Sequence, residues 1–286
     1  MPAIKILCIA GPTASGKSAY AVEEALARNG EVISVDSRQV YRKLDIGTEK
    51  ISPKERRGVP HHLVDIRDAR ESYSAGDFVT DATRLIRDIG ARGKLPILVG
   101  GTHFYFDALT RGLPTDIAPD AQLRAELARS STEELLERVM LCDPRRAAEL
   151  DPHNRRRLIR ALEIIETHGT VPPRNLAEVR PPQRLWKSDL HISWVIIDPP
   201  REELRERIDS RLKNALAHGL VEEVCRVREA VGDARLNELG LEYKIIGEYL
   251  RGERGEASLF PALSARLWQY ARRQKAWLRK LGHPVS

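Results

Sequence analysis

Long hydrophobic runs are missing from this 286-residue chain. No stretch approaches the ~20 apolar residues that a helix needs to span a bilayer, so no membrane contact is expected. Cysteine is scarce. The three that occur, Cys8, Cys142 and Cys225, form no CxxC pair. Zinc-ribbon and disulfide-framework readings are thereby excluded, and a reducing, cytoplasmic compartment is expected. The N-terminus, MPAIKILCIAGPT, opens directly into a strand-like run, so no signal peptide is expected either. Aromatic residues make up only 5% of the chain, and lysine is outnumbered by arginine 11 to 36. The planar guanidinium fork suits phosphate and base recognition, although a GC-rich genome also favours arginine.

What is present is a strand–helix alternation. Ile4–Ala10, Glu31–Val35, Leu95–Val99 and Ile192–Ile197 read as buried strands, each running into a loop that contains Gly or Asp. Helical periodicity follows at 17–28, 77–91, 201–230 and 258–281, and a loop-rich stretch reaches to about Ser74. This order predicts a parallel sheet flanked by helices, with ligands beyond the carboxyl ends of its strands. Residues 112–190 differ. They hold charged helical patterns at Ala121–Ser130, Thr132–Leu141 and Arg155–His168, no convincing strand, and two proline pairs, Pro172-Pro173 and Pro181-Pro182. They read as an all-helical insertion between a first core segment, 1–111, and a second, 191–286.

Gly11-Pro12-Thr13-Ala14-Ser15-Gly16-Lys17-Ser18 matches GxxxxGK[ST] between a strand and a helix, the context that makes the pattern a phosphate-binding loop. Its backbone N–H groups and the helix N-terminus favour an anion, Lys17 adds a charge, and the Ser18 hydroxyl can ligate Mg2+. Asp36 ends the second strand and is open to three readings: a metal holder through water, a proton acceptor, or the cap of a turn. Gly100-Gly101-Thr102 brings a hydroxyl to the same strand ends. His61-His62 lacks further ligands at metal spacing and reads as one packed and one exposed histidine. The helix carrying Arg155, Arg156, Arg157 and Arg160 is either a phosphate-contacting or a solvated face. Past Glu256 no acidic residue occurs, while six cations from Arg266 to Lys280 interleave with Trp268, Tyr270 and Trp277. That mixture suits RNA backbone and stacked bases, or an amphipathic closing helix.

Together GPTASGKS, SVDSRQVY (34–41), LDIGTEK (44–50), PHHLVDI (60–66), YSAGDF (73–78), GKLPILVGGT (93–102), DPHNRRRLIRALEI (151–164), RIDSRL (207–212), HGLVEEV (218–224) and YARRQKAWLR (270–279) span nearly the whole chain. They resemble the tRNA dimethylallyltransferase family, which prenylates an adenine beside the anticodon. The resemblance implies a P-loop-like α/β core whose loop, Gly11–Ser18, holds the diphosphate of dimethylallyl diphosphate rather than ATP, with Mg2+ at Ser18. It implies that Arg211 also binds the diphosphate, that Asp36 is the general base and that Thr102 lies at the reacting centre. It further implies contact with the tRNA anticodon stem-loop by Asp36, Ser37, Arg38, Gln39, Thr102, Arg124 and Arg156, Arg157, Leu158, Ile159 and Arg160, and a chain that works as a monomer. The segment Leu239–Lys244 falls on another tRNA-contacting motif of the family. Two positions depart from the pattern: His103 stands where a small residue is usual, and Glu242 where the family carries glycine. The alternatives are a P-loop small-molecule kinase or adenylate prenyltransferase, and a non-catalytic nucleotide-binding switch with an RNA-binding arm.

Overall fold

The computed structural model describes residues 4–113, 117, 120–172 and 190–281. Pro173, Pro181 and Pro182 lie outside the described residues. The chain divides into two compact units, Met1–Thr110 with Pro182–Ser286, and Arg111–Pro181.

The first unit opens with β1 (Ile4–Ala10), α1 (Lys17–Ala27), β2 (Gly30–Val35), α2 (Pro53–Arg56), β3 (His61–His62), α3 (Ala75–Ala91), β4 (Leu95–Gly100) and α4 (His103–Arg111). The helical unit holds α5 (Ala121–Leu127), α6 (Thr132–Cys142), α7 (Pro144–Glu149) and α8 (Arg155–His168). The first unit resumes with β5 (Leu190–Ile196), α9 (Arg201–Ala217), α10 (Leu220–Leu236), α11 (Leu241–Leu250) and α12 (Leu259–Leu278). All five strands are parallel in the order β3-β2-β4-β1-β5. Leu7 lies beside Ile97 and Ala10 beside Gly100, which aligns the carboxyl ends of β1 and β4. Val35 beside Gly100 brings β2 level with them.

The central strands read as continuous apolar runs because both faces are covered. Ile9, Val32 and Ile97 pack with Ala21, Val22 and Ala25 of α1 in one core. Helix α3 starts at a reciprocal cap: Ser74 accepts from the Asp77 N–H, and the Asp77 carboxylate accepts from the Ser74 N–H. Neither histidine of β3 is exposed, contrary to expectation. His61 Nδ1 lies 2.8 Å from the Val59 carbonyl, and His62 Nε2 lies 2.8 Å from Glu31, which also pairs with Arg92 and Lys94. This buried carboxylate gathers three basic partners at the amino edge of the sheet, and they hold its pKa far below the ordinary range.

Helix α10 fixes the loop after β2 through one side chain. The buried Glu223 carboxylate accepts from the N–H groups of Asp45 (2.8 Å), Ile46 (2.8 Å) and Gly47 (2.9 Å), and from the Tyr243 hydroxyl (2.8 Å). The motifs LDIGTEK and HGLVEEV thereby become one clamp. Glu223→Gln replaces one acceptor oxygen by an NH2 group that faces donors. Its expected cost is about 2–3 kcal/mol of unfolding free energy, measured as a fall in the urea midpoint with an unchanged slope.

The helical unit buries Leu127, Leu135, Val139, Leu158, Leu162 and Ile165 in a core of its own. Helix α8 keeps the expected bounds. Asn154 caps it by accepting from the Arg157 N–H, and Gly169, with φ of 78°, ends it.

Candidate active site

Strands β2, β4 and β1 are neighbours, and the loops leaving their carboxyl ends open into one cleft of about 1370 Å3. The loop after β1 forms its first wall. Gly16 has φ of 87° and immediately precedes α1, a conformation that glycine takes without a Cβ penalty. Thr13, Ala14, Gly16, Lys17 and Ser18 line the cleft over the N-terminus of α1, where unpaired N–H groups and the helix dipole favour an anion. Gly11 and Pro12 are buried. The Lys17 ammonium donates to the Pro12 carbonyl at 3.1 Å. Burial pushes its pKa below the ordinary lysine value, opposed by the negative charges of Glu49 and Asp36 and assisted by Arg211. The Ser15 hydroxyl is buried without a partner among the described residues.

Arg211, on α9, reaches the same wall and pairs with Glu49. The Thr13 hydroxyl donates to the same Glu49 oxygen at 3.3 Å. One carboxylate thus engages two of the groups expected to bind a diphosphate, Arg211 and Thr13. Nothing in the sequence singled out Glu49, because a lone Glu in a loop carries no local pattern.

Asp36 stands at the end of β2 and lines the cleft. Its Oδ1 accepts from the N–H groups of Arg38 (2.8 Å) and Gln39 (3.3 Å), so the turn-capping reading holds for that oxygen. Oδ2 has no hydrogen-bond partner among the described residues. The capping bonds orient the carboxylate rather than consume it. Gln39 uses its amide locally: Oε1 accepts from Ser34 Oγ at 2.9 Å, and Nε2 donates to the Thr48 carbonyl at 3.1 Å. Ser37 and Arg38 line the cleft beside it.

The loop after β4 closes the third side. A Cβ on Gly100 would lie 2.1 Å from the Val35 carbonyl oxygen, so only glycine permits this approach, and one on Gly101 would displace the Gln274 amide. Thr102 Oγ1 accepts from the Ser37 N–H at 3.2 Å and lies beside the Tyr270 hydroxyl. Gln274 of α12 is buried and joins two loops. It accepts from the Thr13 N–H at 3.0 Å and donates to the Gly101 carbonyl at 2.9 Å. Sequence reading placed no role on Gln274. Gln269 is a second neutral amide in the same cationic stretch, so the pattern did not mark Gln274.

A profile of IPP transferases matches residues 39–281. The chain belongs to this family. The tRNA dimethylallyltransferase of Thermomicrobium roseum is 42% identical over 282 residues, which covers 96% of this chain and 84% of that protein. That of Halorhodospira halophila is 42% identical over 283 residues, covering 96% and 89%. Among solved structures, the tRNA isopentenylpyrophosphate transferase of Bacillus halodurans superposes with a TM-score of 0.69 at 37% identity, covering 96% of this chain and 86% of that one. A eukaryotic dimethylallyltransferase acting on tRNA gives 0.78 at 30% identity, covering 96% and 70%.

In this IPP transferase the expected nucleic-acid contacts divide into free and engaged groups. The buried Glu163 carboxylate accepts from Arg124 at 2.7 and 3.0 Å and from Arg160 at 3.3 Å. Arg160 also donates to the Ile117 carbonyl at 2.7 Å. Leu158 is fully buried in the core of the helical unit, and the partly buried Ile159 packs against it. Arg156 and Arg157 are exposed and have no charged partner among the described residues. The closing helix divides likewise. Trp277 donates to Asp107 at 2.9 Å and stacks with Phe106, and Trp268 lies under Arg201 and Arg205. Lys275 pairs with Asp198. The amphipathic reading therefore holds for both tryptophans, whereas Tyr270 and Arg273 line the cleft of this family member.

Proposed function

We propose that the chain transfers a dimethylallyl group from dimethylallyl diphosphate to N6 of adenine 37, beside the anticodon of a tRNA. The observation that carries this reading is the single cleft in which an anion-binding loop, Arg211 and a turn-oriented aspartate meet. Family membership supports the choice of donor and acceptor.

The adenine amino group is a weak nucleophile because its lone pair is delocalised. As its nitrogen bonds to C1 of the donor and the C1–O bond breaks, one N6 proton passes to Asp36 Oδ2, and the diphosphate leaves with the electron pair. Lys17, Arg211 and the loop N–H groups stabilise the charge that grows on the leaving oxygen. Thr102, linked to Ser37 and Tyr270, holds the β2 and β4 loop ends in register beside Asp36. The base must leave its stack to enter, at a cost of a few kcal/mol that an unpaired anticodon loop reduces.

Mg2+ is the metal that fits this cleft. The Ser18 hydroxyl and the Glu49 carboxylate are hard oxygen donors on one lining and would hold it. No trio of His, Cys, Asp or Glu that could hold a metal occurs among the described residues. When bound, the ion offsets charge on the diphosphate.

One chain carries every group of the cleft, which supports action as a monomer. No helix among the described residues is long and apolar enough to cross a membrane.

The test is incubation with unmodified tRNA, labelled dimethylallyl diphosphate and Mg2+. Label in the tRNA at the adenine beside the anticodon is the expected result. Tight ATP binding without transfer would favour the kinase or switch readings instead. The exposed Arg156 and Arg157 give a second measurable outcome. Each phosphate contact removed should flatten the slope of log K against log salt by roughly 0.7–0.9. Arg156→Ala with Arg157→Ala is therefore expected to weaken all tRNAs alike, with donor binding unchanged. Parental affinity and salt slope in that variant would make them a solvated face.

A further inference from the structure

Glu242 is the second residue of α11, and its side chain lines the cleft with Asp36, Arg38, Tyr270 and Arg273. The side chain is half-buried and has no ion pair or hydrogen bond to another residue among those described. Of the carboxylates beside it, Asp36 caps a turn through one oxygen and Glu49 holds Arg211. Glu242 bonds only to its own backbone N–H among the described residues, so its carboxyl group is open to a ligand in the cleft.

We propose that the Glu242 carboxyl group reads the acceptor base. Its carbonyl oxygen accepts the N6 hydrogen that Asp36 does not take, and its O–H donates to the adjoining ring nitrogen of adenine. This rests on the cleft being the base-accepting site argued above.

The chemistry follows from what surrounds the group. Burial, then the charges of Glu49 and Asp36, raise its pKa to about 8, against a lowering by Arg38. Tyr243 and Tyr270 face it as neutral phenols whose own pKa values are raised. Below that value the carboxyl is neutral and offers one donor beside one acceptor. Adenine presents the complement, an N6–H beside an unprotonated ring nitrogen, whereas guanine presents two acceptors, O6 and N7, along its major-groove edge. An ionised Glu242 only accepts, and it faces the ring-nitrogen lone pair with repulsion. The pH sign is therefore fixed: the contribution is present below about pH 8 and lost as pH rises through that value.

Single-turnover transfer is measured from pH 6 to 9.5 with saturating donor, for the parent, E242Q and E242A. Inorganic diphosphate titration is the control for the donor side. The parent rate is expected to fall roughly tenfold on the alkaline side, and E242A to be slowed by a similar factor at low pH, as loss of one bidentate base contact predicts. E242Q keeps a donor and an acceptor, so it should run within about threefold of the parent at low pH and show no alkaline fall. Diphosphate affinity should be equal in all three. A parental rate in E242A, or an alkaline fall retained in E242Q, overturns the proposal. A parent that transfers no prenyl group to any tRNA overturns the proposed activity instead, so the two failures are distinct.

Discussion

Asp36→Asn is expected to slow prenyl transfer by ~10²–10⁴-fold, the range that a positioned general base contributes. The substitution suits the geometry. The side-chain oxygen of asparagine can still accept from the Arg38 and Gln39 N–H groups, so the turn after β2 survives. What is lost is the proton affinity of Oδ2, which has no other hydrogen-bond partner among the described residues. Donor affinity and thermal midpoint should match the parent. Single-turnover rates within threefold of the parent would show that the carboxylate serves as a cap and not as the base.

Lys17→Ala and Arg211→Ala are expected to produce the next largest losses, each ~10²–10³-fold in transfer, because both cations face charge that increases as the C1–O bond breaks. Their ground-state effects should differ. Arg211 is already neutralised by Glu49 in the donor-free cleft, so the diphosphate must displace one carboxylate to reach it. Removing Arg211 frees Glu49 to repel the donor, and its affinity should fall further than in Lys17→Ala. Competition between inorganic diphosphate and ATP provides the check. Tighter ATP than donor binding in the parent would contradict the assignment of the loop.

The parts of this site that could be read in the sequence are those whose causes are local. Strand β1, the glycine-rich loop and α1 follow one another within 24 residues, from Ile4 to Ala27, and the glycines carry the loop's geometry by themselves. Helix α8 was legible because a cap at Asn154 and a stop at Gly169 bracket an apolar stripe. Strand β3 was not, since two residues show no alternation. Helix α11 was missed because only Leu239 and Gly240 part it from the preceding turn, and because Glu242 and Lys244 interrupt its apolar residues. Glu163 falls within a charged helical pattern, where nothing local marks it as buried. Only tertiary packing makes it the buried partner of Arg124 and Arg160. Strand β5 begins two residues before the expected Ile192, at Leu190, because pairing with β1 extends to Ile4.

The bond between the Thr13 N–H and Gln274 joins residues 261 positions apart. The shape of the phosphate loop is therefore not a local property of its eight residues. A chain whose sheet has formed but whose closing helix has not docked would carry the loop sequence without its tie to the β4 turn. Such long-range closures are slow to form relative to local contacts. Anion binding should therefore appear among the last events of folding, and a diphosphate that recognises only the finished loop would stabilise the native state alone. Refolding followed by ligand binding should then lag behind refolding followed by helical signal.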